Sequence, residues 1–110
     1  MSNQRFDIRH APCWRTSKRM LTLQTTSKFR KDYKLVKKRG LPTKELEVVL
    51  QTLLEERPLE AKYRDHALTG NYLGFRECHI RPDWLLIYTI DHGNLILTAS
   101  RTGSHADLLE

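Results

Sequence analysis

Residues 75–88, FRECHIRPDWLLIY, constrain the fold of this 110-residue chain more strongly than any other stretch. The first seven side chains alternate in polarity, which predicts a strand with Cys78 and Ile80 on one face and His79 on the other. Pro82 has no backbone N–H to donate to a neighbouring strand, so the strand is expected to stop there and the chain to turn. An almost wholly apolar strand then follows. The pattern predicts a small antiparallel sheet with one buried face and one face free to carry polar chemistry.

The length of the chain indicates one domain with one modest core. The longest apolar run, residues 84–88, is far too short to cross a membrane, and no signal-peptide pattern opens the sequence. Cys13 and Cys78 lie far apart and share no metal-type spacing. Both are therefore interpreted as free thiols in a reducing cytoplasm.

The net charge of +6 is unevenly distributed, because residues 1–19 hold five basic side chains against one acidic side chain. These residues show neither helical nor strand periodicity. They are interpreted as a basic leader that is disordered or that precedes a natural start at Met20. The domain itself is expected to span residues 20–110, where the charge is only weak support for a nucleic-acid partner.

The remaining pattern predicts an α+β domain. The expected strands are residues 20–24, 75–81, 84–90 and 95–100. The expected helices are residues 26–39 and 43–57, which follow the first strand, and residues 106–109 at the end. The predicted N-terminal caps of the helices are Thr26 or Ser27, Thr43 and Ser104. Gly40 is expected to end the first helix and Pro58 the second. Since few residues join the two helices, they should pack as an antiparallel hairpin on one sheet face, and the later strands should form an antiparallel meander.

Each helix carries an apolar stripe that is expected to pack in the core. The stripes are Phe29, Tyr33 and Val36 in the first helix, and Leu46, Val49, Leu50, Leu53 and Leu54 in the second.

The first helix carries a nearly one-signed run of basic residues that includes Lys34, Lys37 and Lys38. A run of this kind is often no more than a solvated helix face. Like charges at i,i+3 and i,i+4 spacing repel one another, however, which indicates a surface that meets a polyanion. We therefore interpret these lysines as binding residues for RNA.

Three histidines and one carboxylate, His66, His79, His105 and Asp83, are candidates for chemistry at the open sheet face. Cleavage of RNA without a metal needs a base for the 2′-hydroxyl, an acid for the leaving oxygen and positive charge near the phosphorus. Histidine can serve in either proton-transfer role near neutral pH. Further side chains could supply the positive charge (Arg81 and Arg101) and stack on a base (Trp84, or Tyr72 and Phe75).

Two other interpretations of the histidines stay open at this point. Three histidines and an aspartate are also good metal ligands, although none of them shows the tight spacing of a strong metal motif. Alternatively, each histidine is an ordinary loop residue and the basic helix only solvates the fold.

The sequence resembles the RelE/YafQ family of bacterial toxin mRNA interferases, most closely its YafQ branch. The resemblance covers residues 20–110 and rests on four segments in order, namely PL followed by DHALTG (58–59 and 65–70), FRECHIRPDW (75–84), LIY (86–88) and RTGSH (101–105). It implies a microbial-ribonuclease-like fold and ribosome-dependent cleavage of mRNA without a metal or other cofactor. It also implies inhibition by a cognate antitoxin encoded alongside the toxin.

Carried over position by position, the resemblance implies a catalytic set of His66, His79, Asp83 and His105. It implies a stacking or wall role for Trp84 and a role for Arg101 in stabilising transition-state charge. At the position where related toxins carry an aromatic residue, four residues after the last histidine, this chain has Leu109, which puts base stacking there in doubt.

The implied partners are the antitoxin and mRNA on the ribosome, including contacts with ribosomal RNA. Operator DNA is expected to be bound only through the antitoxin complex. No membrane partner is expected, and the protein is expected to be cytoplasmic. The alternative function is a non-catalytic RNA- or ribosome-binding module that inhibits translation by occupancy.

Overall fold

The structure, a computed structural model, describes residues 20–109. The predicted leader therefore lies outside the described residues, as does the side chain of Leu109. The helices are α1 (Ser27–Lys38), α2 (Thr43–Leu54) and α3 (His105–Leu109). The strands are β1 (Thr22–Thr25), β2 (His66–Ala67), β3 (Arg76–Arg81), β4 (Trp84–Asp91) and β5 (Ile96–Gly103), with single 3-10 turns at Ala61–Tyr63 and Gly70–Tyr72.

The five strands form one mixed sheet in the order β1-β5-β4-β3-β2. The antiparallel meander of β3, β4 and β5 is confirmed, and the α+β class with it. Two features go beyond the prediction. β1 joins the sheet parallel to β5, and the two-residue β2 pairs antiparallel with β3 in a segment that looks irregular in the sequence.

Helix α1 has the predicted boundaries because local signals specify both of its ends. The Thr26 hydroxyl accepts a hydrogen bond from the Phe29 N–H at 2.9 Å. At the other end Gly40 has φ +81°, and the N–H groups of Gly40 and Leu41 donate to the carbonyls of Lys37 and Val36. These two bonds form a Schellman motif, for which glycine is the favoured residue.

Helix α2 differs from its prediction at both ends. Its cap residue is Pro42, which makes no side-chain capping bond, and Thr43 is already the first helical residue. The helix ends at Leu54 rather than at residue 57, since Glu56 adopts a left-handed conformation with φ 56°. The prediction from Pro58 placed the C-terminal end of α2 too late, because the helix already ends before the position at which proline would interrupt it.

Both helices cover one face of the sheet with the apolar stripes that their spacing predicted. The stripes are Phe29, Tyr33 and Val36 in α1, and Leu46, Val49, Leu50, Leu53 and Leu54 in α2. They pack against strand residues that include Cys78 and Ile80, and burial raises the pKa of the Cys78 thiol. Burial of this apolar surface is the main force that holds the helix pair on the sheet.

A smaller cluster lies on the opposite face, where Leu85, Ile87 and Leu108 are buried. Leu68, Tyr72 and Phe75 pack around it. This cluster holds α3 against the sheet and leaves the rest of that face for polar side chains. Over the described residues, no helix is long and apolar enough to cross a membrane.

Candidate functional site: a row of three histidines

The strand β3 places His79 and Glu77 on the sheet face that the helices leave open. Alternation sends the neighbouring Cys78 and Ile80 into the helix-covered core, where they are 0% and 8% exposed. The predicted two-faced character of this strand is therefore confirmed. Glu77 is also buried, at 4% exposure, which is unusual for a carboxylate without a strong partner.

The short strand β2 brings His66 beside Glu77, because these two residues are opposite one another in the antiparallel pair. Two contacts orient the imidazole of His66. Its Nδ1 lies 2.6 Å from the Arg64 carbonyl oxygen, and its Nε2 lies 3.0 Å from Glu77 Oε1. The chain turns into this arrangement at Arg64, which has φ 51°.

His105 comes from the other end of the domain and meets Asp83 at the β3–β4 turn. Its Nδ1 lies 2.7 Å from Asp83 Oδ1, and its backbone N–H donates to the same oxygen at 3.1 Å. These bonds, led by the one from the His105 side chain, lower the pKa of Asp83. Asp83 is therefore a carboxylate near neutral pH and can only accept from His105.

A capping box at the start of α3 holds the backbone of His105 in place. The Asp107 N–H donates to Ser104 Oγ and the Ser104 N–H donates to Asp107 Oδ2, each at 3.1 Å. A hydrogen bond from Arg39 and the one from the Ser104 N–H lower the pKa of Asp107 to about 2. Gly103 has φ +155°, and a Cβ atom there would lie 3.0 Å from Asp107 Oδ2. Ser104 is thus confirmed as the cap, and the turn requires glycine before it.

The three imidazoles form one row across the open face. The ring centroids of His66 and His79 are 6.3 Å apart, and those of His79 and His105 are 5.6 Å apart. The side chains at the two ends are each 49% exposed, whereas His79 in the middle is 12% exposed. The structure thus brings together all four residues of the predicted catalytic set, with Asp83 at the His105 end of the row and Glu77 between His66 and His79.

Glu77 is the residue that reasoning from the sequence missed. Its position on the His79 face followed from the strand alternation, but nothing in the sequence indicated that His66 would pair across from it. Its Oε1 also lies 4.0 Å from His79 Nε2. Within the described residues, Glu77 Oε2 and His79 Nδ1 are buried without a hydrogen-bond partner. Such groups are rare in folded proteins, and a catalytic role is one of the explanations for them.

Trp84 does not have the predicted position. It is 2% exposed, and its indole N–H donates to Thr102 Oγ1 at 2.9 Å within the core on the helix side of the sheet. A base cannot stack on a ring whose faces are already covered by protein. The prediction of a stacking role is therefore wrong, and Trp84 is a core residue.

The predicted cationic residues lie apart from the histidine row or are paired. Asp32 binds Arg101 with two hydrogen bonds, at 2.7 and 3.2 Å, and raises its pKa. This ion pair ties β5 to α1, and it offsets the charge that was expected to serve the substrate. Arg81 is bound in the same bidentate way by Glu45, at 2.8 and 2.9 Å.

Lys34, Lys37 and Lys38 are exposed on α1, as predicted. The helix packs on the sheet face opposite the histidines, so these lysines are a separate basic surface.

A metal site was the competing interpretation of the histidines. In the part of the chain that the structure describes, no group of three or more His, Cys, Asp or Glu side chains is placed to hold a metal ion.

A mixed sheet with a helix pair on one face is the fold that this chain shares with solved toxins of the YafQ type. Residues 21–110 match the model of the family described as bacterial toxin of type II toxin-antitoxin system, YafQ. The chain belongs to this family, as the resemblance predicted.

Three relatives illustrate the similarity. The mRNA interferase toxin YafQ of Escherichia coli strain K12 is 37% identical over 87 residues, which cover 78% of this chain and 92% of that protein. The toxin in the E. coli DinJ-YafQ toxin-antitoxin complex is 35% identical, with a TM-score of 0.75 over 83% of this chain and 99% of that one. A metal-bound toxin from Helicobacter pylori is 46% identical, with a TM-score of 0.78 over 82% of this chain and all of that one (100%).

Proposed function

We propose that this protein is the toxin of a type II toxin–antitoxin pair and that it cleaves mRNA on the ribosome by metal-independent acid–base catalysis. The observation that carries the proposal is the row of three imidazoles on an open sheet face, in contact with the carboxylates of Asp83 and Glu77. The E. coli relative is an mRNA interferase toxin, which supports the same reaction class.

The reaction needs two proton transfers around one phosphorus atom. A base removes the proton of the 2′-hydroxyl while the 2′ oxygen forms a bond to phosphorus. The bond from phosphorus to the 5′ oxygen breaks, and an acid protonates that oxygen. The products are a 2′,3′-cyclic phosphate and a free 5′-hydroxyl, so neither a redox partner nor water enters this step.

His105 is suited to be the base. The Asp83 carboxylate can only accept, so the hydrogen of the His105 ring lies on Nδ1 and the lone pair lies on Nε2. Asp83 also stabilises the imidazolium that forms when Nε2 takes a proton, as the carboxylate does in other His–Asp pairs. His79, the next ring in the row, is then placed to protonate the leaving oxygen.

His66 is suited to supply positive charge rather than to accept a proton. A backbone carbonyl can only accept, so the His66 Nδ1 facing the Arg64 carbonyl carries a hydrogen. The His66 Nε2 lies 3.0 Å from Glu77 Oε1, so a protonated ring can donate to this carboxylate. In that form the ring can stabilise charge that develops on the phosphate.

Two kinds of partner accompany this function. An antitoxin is supported by the DinJ-YafQ complexes of a relative. We propose that such an antitoxin inhibits this chain and mediates any contact with operator DNA. The exposed surface of Lys34, Lys37 and Lys38 is suited to ribosomal RNA, because phosphate contacts need positive charge but no base recognition. Both partners place the protein in the cytoplasm.

Mapping mRNA 5′ ends after brief expression of the protein tests the proposal. Cleavage predicts new 5′-hydroxyl ends within translated messages and none in the same messages lacking a start codon. Stalled ribosomes on intact messages would contradict it and would favour the alternative, an RNA- or ribosome-binding module that acts by occupancy.

The Glu77→Gln variant should lower the cleavage rate by about 10²-fold while the fold is retained. Glutamine has the same shape but lacks the negative charge that stabilises a protonated His66 ring. The ring should then stay in place as a neutral imidazole with its hydrogen on Nδ1. Nitrogen-15 NMR of the imidazoles measures this directly, as loss of the hydrogen from His66 Nε2 without change at His92.

The matched control for this prediction is Glu55→Gln. The side chain of Glu55 is also shielded, at 7% exposure, and it pairs with Arg57 at 2.7 Å at the end of α2, outside the histidine row. We expect its cleavage rate and its histidine spectrum to be unchanged. Equal loss of activity in both variants, or an unaltered His66 ring in Glu77→Gln, would refute the positioning role of Glu77.

A further inference from the structure

A groove of about 610 Å³ opens beside the middle histidine. Its walls come from the start of α2, from the 3-10 turn at Ala61–Tyr63 and from the end of β3. Its volume lies within the range of about 300–1,000 Å³ that is typical of ligand sites. His79 forms part of the lining, so the groove is continuous with the row of imidazoles.

The charge of the lining favours an anion. Lys62, Arg64 and Arg81 face one carboxylate, that of Glu45. Arg81 binds this carboxylate through both oxygens and lowers its pKa, so the pair contributes little net charge. Lys62 and Arg64 then remain as positive groups in the groove. A chain of phosphates that crosses the histidines would meet them next.

The shape and the apolar part of the lining favour a nucleotide over a simple ion. Val48 is 57% exposed on the α2 wall, and Tyr63 lies opposite with Lys62 Nζ 5.2 Å from its ring centroid. Strand β2 pairs only with Arg76 and Glu77 of β3. Over the described residues, the part of β3 that follows Glu77 therefore has no strand partner on this edge, which borders the groove. The groove thus combines apolar walls, cations and a free backbone edge, as sites for single-stranded nucleic acid do.

We propose that this groove binds the one or two RNA nucleotides that flank the scissile phosphate, with Lys62 and Arg64 contacting the backbone. The proposal rests on the proposed function, since it takes the histidine row as the place of cleavage. It adds a site that determines where the strand lies across that row. Arg81 acts within it mainly by keeping Glu45 neutralised.

Binding of a ten-nucleotide 2′-O-methyl RNA to the purified full chain tests the groove, because this RNA lacks the attacking hydroxyl and is not cleaved. The double variant Lys62→Met, Arg64→Met should bind about tenfold more weakly than the unchanged protein. The slope of log affinity against log salt should fall by about 1.4, or about 0.7 for each lost phosphate contact. The control Lys28→Met, Arg57→Met removes two charges elsewhere and should weaken binding less than twofold.

The variant Val48→Trp separates occupancy of the groove from its charge. Val48 is exposed, so the substitution should not unfold the protein, whereas the indole should fill the groove and weaken RNA binding about as much as the double variant does. Unchanged binding in Val48→Trp, or equal loss in the double variant and its control, would overturn the proposal.

A peptide of ten glutamates serves as the second probe. We expect it to bind the groove at least tenfold more weakly than the RNA at the same salt concentration. Equal affinity would mean simple ion exchange or an acidic protein partner, and would also overturn the proposal.

If the groove variants bind normally but new mRNA 5′ ends still form, only the groove is refuted. If the unchanged protein neither binds RNA nor produces those ends, the proposed function fails.

Discussion

Replacing His105 by alanine should lower the rate of mRNA cleavage by about 10²- to 10⁴-fold, the usual contribution of a general base. Its Nε2 carries the lone pair that Asp83 leaves free, and the centroid of the neighbouring His79 ring is 5.6 Å away. The measurement is single-turnover cleavage of mRNA on stalled ribosomes, with relief of growth arrest as the readout in cells.

The control for this loss is His92→Ala. His92 lies in the exposed β4–β5 turn, where its side chain is 72% exposed and its Nδ1 lies 3.7 Å from Glu56. Since the His105 side chain is itself 49% exposed, both variants should unfold at nearly the same temperature as the unchanged protein. Full activity of folded His105→Ala would remove His105 from the catalytic set.

A companion variant, Asp83→Asn, separates orientation from proton transfer. The amide oxygen can still accept from the His105 backbone, but it lacks the charge that stabilises the imidazolium. We expect a loss of activity and a shift of the pH–rate profile, which a purely structural change would not produce. An unchanged profile in a slower enzyme would argue against the His–Asp pair.

Trp84→Ala should destabilise the protein by about 3–5 kcal/mol, a large part of the stability of a domain of this size. The side chain is 2% exposed, and its indole N–H donates to Thr102 Oγ1, which itself donates to the Leu85 carbonyl. Alanine would leave a cavity and remove one member of this buried chain. Urea denaturation followed by circular dichroism measures the change.

Two further variants decide between a core residue and a residue that stacks on RNA. Trp84→Phe keeps most of the apolar volume but loses the donor, so it should cost about 1–2 kcal/mol and leave the activity of the folded protein intact. Leu73→Ala, at a position 76% exposed, should change stability by less than about 0.5 kcal/mol. Normal stability of Trp84→Ala together with weakened RNA binding would contradict the core assignment.

Much of the fold was predictable because its signals are local. The alternation around His79 predicted which face of β3 is buried, and the spacing of Phe29, Tyr33 and Val36 predicted the buried stripe of α1. Gly40 and Ser104 predicted helix ends that the structure confirms. Each of these depends on the period of a single element or on bonds between residues a few positions apart.

The residue types of the candidate site could be predicted from the sequence, but the contacts between them could not. The residue types of the histidine row, and the family resemblance, pointed to His66, His79, Asp83 and His105. The partner of His66 could not be found in this way, because Glu77 faces it only through the pairing of a two-residue strand. The same holds for Arg101, whose charge is offset by Asp32, 69 positions earlier in the chain.

Local periodicity thus determined the elements, their buried faces and the types of side chain that reach the open surface. Tertiary structure alone decided the parallel pairing of β1 with β5, the burial of Trp84, the place of Glu77 between two imidazoles and the groove beside His79. The physical reason is that short-range preferences act within one turn or one strand. Register across a sheet and the choice of ion-pair partners depend on free energies that arise only when distant segments pack together.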